Sequence, residues 1–121
     1  MAYSRKKIIR LDREAHDLTD ELMQLSAVLD RAADKLKDEF EAMRDEYEAN
    51  EKKMDEYKAL DTIDSFNKRM VAIRDTHRDI LNLLRQIGAV YDRGAEDLDK
   101  TIHDPHFVER VEAIRTFVGN I

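Results

Sequence analysis

From Met1 to Ile87 the chain contains neither glycine nor proline; the first glycine is Gly88 and the single proline is Pro105. The two residues that most often end helices and open turns are thus missing from most of its length. Over the same stretch, apolar residues from Ile8 to Tyr57 recur at steps of three and four. Together these features predict one very long amphipathic helix and an all-α fold.

The seam of that helix reads Ile8, Leu11, Ala15, Leu18, Leu22, Leu25, Leu29, Ala32 and Leu36, alternating steps of three and four as a heptad requires. From Leu36 the next member is Phe40, a second consecutive step of four. Such a stutter locally relaxes a left-handed supercoil. The rhythm then resumes through Met43, Tyr47, Asn50, Met54 and Tyr57.

Leu60-Asp61-Thr62-Ile63-Asp64-Ser65 brings side-chain oxygens suited to capping a new helix, which places a turn there. A second seam follows: Ile63, Phe66, Met70, Ile73, His77, Ile80, Leu84, Ile87, Tyr91, Gly94 and Leu98, with His77 and Gly94 its odd members. Pro105 cannot donate to a helical ladder and fits the first position of a third helix capped by Asp104. That helix carries Phe107, Val111, Ile114 and Val118 on one face, and Gly119 suits its end. The expected architecture is a long antiparallel helical hairpin with a short third helix after Pro105, a single domain over residues 1–121. Its helices fall at about 5–59, 66–102 and 105–118, with the turn at about 60–65.

A turn near Asp61 would lay the acidic stretch Asp38–Glu56 beside Lys68, Arg69, Arg74, Arg78 and Arg85, favouring the antiparallel register. It would also bring His77 near Met43 and Tyr47, with Asp45 and Glu46 close by. There His77 reads as a core histidine hydrogen-bonded to a neighbour; a pH-sensitive partner switch is the sharper alternative. The end of the second helix would come to about Asp20, leaving the start of the first uncovered. The favoured position for the third helix is therefore an extension in which Phe107, Val111 and Ile114 meet Ile8, Leu11 and Ala15. A third helix folded back on the second is the alternative.

The chemistry of the chain points away from catalysis. Of its 121 residues, 40% are charged and none is cysteine, so thiol nucleophiles, disulfides and cysteine-bound metals are excluded. The net charge of -6 disfavours nucleic acid and anionic membranes as partners. The basic start Arg5, Lys6, Lys7, Arg10 reads as a solvated helix end. No signal-peptide core or membrane span is present, so the expected location is cytoplasmic, with any export by a route that reads no N-terminal signal peptide. No Glu-x-x-His pair exists for a carboxylate-bridged metal, and Asp99, His103 and His106 straddle the break before Pro105. No catalytic, cofactor-binding or metal-binding residues are therefore expected.

The apolar stripes are wider than a two-helix seam needs. Met23 and Val28 broaden the first; Leu81, Leu83 and Val90 broaden the second. Two readings are open: a core shared with a folded-back third helix, or a binding surface for a helical protein partner or a second copy of the chain.

The segment Leu83-Leu84-Arg85-Gln86-Ile87-Gly88-Ala89-Val90-Tyr91, followed by Glu96-Asp97, resembles the second helix of the small Trp-X-Gly hairpin proteins of type VII secretion and of the helical helper proteins that accompany their toxins. The chain has no tryptophan, and Ala95 stands four positions after Tyr91 where the family's Tyr-x-x-x-acid signal would place an acid. The resemblance implies a non-enzymatic adaptor or chaperone-like hairpin for helices of a larger protein, such as a secreted toxin. A self-assembling coiled-coil subunit is the alternative.

Overall fold

The computed structural model describes residues 3–49 and 56–121, with backbone alone for 56–60. Four helices follow in order: α1 (Arg5–Ala49), α2 (Glu56–Tyr91), α3 (Ala95–Ile102) and α4 (Pro105–Gly119). The protein is all-α, with no strand among the described residues.

α1 and α2 pack antiparallel. Phe40 stacks on Phe66 with ring centroids 4.3 Å apart, His77 Nε2 lies 3.1 Å from Asp30 Oδ1, and His16 meets Tyr91 edge-on. The pairs are centred at 53 to 53.5 in residue number, so the register differs from that of a turn at Asp61. Residues 61–65 lie inside α2, where Asp64 pairs with Lys68 at 3.2 Å. Asp61, Asp64 and Ser65 are exposed, and with no glycine or proline nearby their capping oxygens do not oblige the helix to stop. The connection after Ala49 lies outside the described residues, as do the expected seam members Asn50 and Met54. The changed register places His77 beside Asp30 instead of Asp45 and Glu46.

The second expected helix is two. α2 ends at Tyr91, Arg93 N–H donates to Val90 O at 2.9 Å, and Gly94 adopts φ 122° and ψ 169° before α3 begins. That conformation is open to glycine and strained for side chains, so Gly94 breaks the helix its heptad position suggested it would continue. Glu96 and Asp97 in the first turn of α3 and Lys100 in its last suit the helix dipole. Pro105 opens α4 as expected. Asp104 occupies the cap position, but its side chain makes no capping hydrogen bond.

α4 folds back on the α1–α2 pair, overturning the favoured extension. Arg115 forks onto Glu21, Nε to Oε2 at 2.8 Å and Nη2 to Oε1 at 2.5 Å. Further along, Phe117 and Ile121 line a depression with Ala32, Leu36 and Ile73. α4 thus runs in the direction of α1, away from its start, and Ile8 stays 46% exposed. One core takes residues from all four helices, including Leu22, Leu29, Ile80, Ile102, Phe107 and Val111. The fold-back also moves Leu83 from the expected partner edge to full burial, and Val90 packs half-buried against the same core.

Candidate partner-binding face

α4 covers one flank of the α1–α2 pair; no described residue outside the pair covers the opposite flank. Two apolar depressions lie along it. The first, about 290 Å³, is lined by Ala15, His16 and Thr19 of α1 and by Leu84, Gly88 and Tyr91 of α2. The second, about 580 Å³, lies between Asp30 and Ala33 on one side and Met70, Val71, Arg74 and His77 on the other. Met23 and Leu81 fall between the two in sequence and register, and they are 58% and 50% exposed.

The sequence alone explains this placement once the core direction is known. With 3.6 residues per turn, Met23 stands about 100° from Leu22, and Leu81 the same angle from Ile80. Because the helices are antiparallel, both rotations lead to the same flank. Val28 is about 140° from Met23 around α1, so this half-buried residue belongs to the other flank. Of the five residues expected to bind a partner, the structure therefore brings together Met23 and Leu81, and separates Val28, Leu83 and Val90. Thr19 and Gly88, which no seam includes, also line the groove, as do Met70 and Leu84, expected in the second seam. Thr19 and Gly88 each stand one position past a seam residue, Leu18 and Ile87.

Polar contacts cross this face at two levels. Tyr91 O–H donates to Asp12 Oδ1, and His16 Nε2 lies 3.1 Å from the same hydroxyl. The Asp12 hydrogen bond, with burial and the Asp12 charge, raises the Tyr91 pKa above its ordinary value. Toward the other end, His77 and Asp30 bridge the helices in the second depression.

A separate cluster ties α3 to α1. Asp99 accepts from Tyr3 O–H at 3.0 Å and from His103 Nδ1 at 2.6 Å, while Lys7 Nζ lies 3.5 Å away. His103 Nε2 reaches Glu14 Oε2 at 2.9 Å. The His103 and Tyr3 bonds hold the Asp99 carboxyl below the usual range. Burial opposes the His103 charge, but its bonds to Asp99 and Glu14 outweigh that and raise its pKa. Tyr3 is raised by its bond to Asp99. Glu21 is lowered by Arg115, whose own pKa rises. These groups saturate one another across helix boundaries. Among the described residues no group of three or more His, Cys, Asp or Glu side chains is placed to hold a metal ion, and no helix is long and apolar enough to cross a membrane.

In comparisons with known proteins, no family model, curated protein or solved structure matches the chain.

Proposed function

We propose that the protein is a non-enzymatic helical adaptor that receives an amphipathic helix of another protein in the groove between α1 and α2. The observation that carries this reading is the exposure of Met23 and Leu81 between two apolar depressions on the one flank of the pair that α4 leaves open. A helix laid there would add a fourth long element to α1, α2 and α4 and bury the stripe, the usual use of such a groove. The titratable clusters support a binding role because each is spent on holding helices together. The resemblance to the Trp-X-Gly hairpin proteins makes helices of a secretion-associated toxin the partner class to test first.

The test is Met23→Asp with Leu81→Asp. Both side chains are exposed in the free chain, so helicity and melting temperature should stay near those of the parent. Burial of such side chains in a complex is worth about 1.5–3 kcal/mol each, so the double variant should bind a helical partner at least about 100-fold more weakly. Undiminished partner binding would overturn the reading. If the parent is instead a dimer at micromolar concentration and the variant a monomer, the self-assembling subunit is the better description.

A further inference from the structure

We propose that the groove selects a helix with cations along one flank of its apolar stripe and anions along the other, and that this charge order sets the direction in which the helix lies. The inference rests on the groove being a helix-binding site. Its basis is the unlike charge of the two rims. The α1 rim carries Asp20, Asp30 and Asp34; the α2 rim carries Arg74, Arg78 and Arg85, and all six are exposed. Asp30 and Arg74 themselves line the groove.

The rims match in height as well as in sign. With Asp30 beside His77, the antiparallel register sets Asp34 level with Arg74, Asp30 with Arg78, and Asp20 close to Arg85. Among the described residues, Asp20, Asp34, Arg74 and Arg85 form no ion pair. Their positions around the helices, about 120–160° from the core seam, turn them outward onto opposite rims with room for a helix between. Lys37 further along α1 and Asp92 at the end of α2 lie beyond the matched stretch; within it the exception is the exposed Arg31, about 20° from Asp20 around α1. From Asp20 to Asp34 the matched rim spans about 21 Å, or four helical turns.

Polarity follows from handedness. A right-handed helix turns clockwise as it recedes, so looking along α1 from its N-terminus with the groove below, α1 lies on the left and α2 on the right. A helix docked parallel to α1 meets the acidic rim on its left and the basic rim on its right. Viewed from its own N-terminus with the apolar stripe uppermost, it needs cations on the left and anions on the right. A helix with the reverse order satisfies both rims only by lying parallel to α2. Rim charges contribute little to affinity but penalise the wrong arrangement.

The test uses the full chain and three synthetic helices of about 20 residues sharing one apolar stripe, each with a nitroxide at its N-terminus. One has cations left and anions right, one the reverse, and one cations on both flanks. The first should broaden backbone amide signals near His16 and Tyr91, and the second those near Ala33 and Asn67. The third should bind about three- to tenfold more weakly, a difference that shrinks as salt rises. In Arg74→Glu with Arg85→Glu, the α2 rim becomes net acidic although Arg78 remains, and the all-cation helix should become the tightest ligand.

If the first two helices bind with the same direction, or each with both directions, the charge inference fails while the groove reading stands. Binding by none of the three overturns both. A free chain already dimerised through this face makes the occupant a second copy and also overturns the proposal.

Discussion

Leu81 and Leu83 stand two residues apart on α2, yet the fold-back of α4 gives them opposite surroundings. Leu83 is 0% exposed and Leu81 is 50% exposed. Truncating a buried leucine to alanine removes its transfer energy and leaves a cavity that neighbours only partly refill, so Leu83→Ala should cost about 2–5 kcal/mol. Leu81→Ala opens no cavity, loses only part of a transfer term and gains slightly in helix propensity, so its cost should stay below about 1 kcal/mol. At an unfolding entropy of about 2.1 cal/mol/K per residue, the 121-residue chain converts each kcal/mol into roughly 4 °C. The expected drops in melting temperature are therefore about 8–20 °C for Leu83→Ala and under about 4 °C for Leu81→Ala. Circular dichroism melts of the two variants beside the parent measure this, with urea titrations to check that the slope is unchanged. Equal, small drops would mean that Leu83 lies as open as Leu81, which is the arrangement of an extended third helix. The reasoning about α4 would then be refuted.

Two further outcomes follow from local geometry. Gly94→Ala places a side chain at φ 122° and should lose about 1–3 kcal/mol, whereas Gly88→Ala, with open space around the new Cβ inside a helix, should gain about 0.5–1 kcal/mol. Urea denaturation giving the two changes the same sign would contradict the break assigned to Gly94. His103 has a folded pKa above its ordinary 6.5, so the stability it adds is full below that value and is lost as pH rises through the raised pKa. Asp99, lowered from 3.8, contributes above that value and loses its contribution as pH falls through the lowered pKa. Thermal melts of the parent and His103→Gln across both ranges should therefore differ most between the two windows and converge at alkaline pH; a constant offset would show that His103 titrates without influence on the fold.

Much of this molecule was determined locally. The absence of glycine and proline before Gly88 and the three-four spacing of apolar residues require long helices, because only a helix satisfies an uninterrupted backbone while keeping those side chains on one face. Pro105 likewise decides where α4 begins, through its missing N–H. Where two helices meet is a different kind of quantity. A heptad seam repeats, so sliding one helix by two turns against the other preserves every apolar match; the capping residues at Asp61–Ser65 were compatible with a turn without demanding one. Gly94 satisfied the second seam as well as it satisfied a break, and the competition was settled by α3 docking Leu98 and Ile102 into the core and by the Asp99–His103–Glu14 ties to α1. The widened stripes held the same ambiguity. Leu83 and Leu81 both read as surplus apolar residues, and only the return of α4 over one flank made the first a core residue and left the second, with Met23, facing the open groove. Burial depends on what lies across from a side chain, and for Leu83 that partner, α4, begins 22 residues further along the chain.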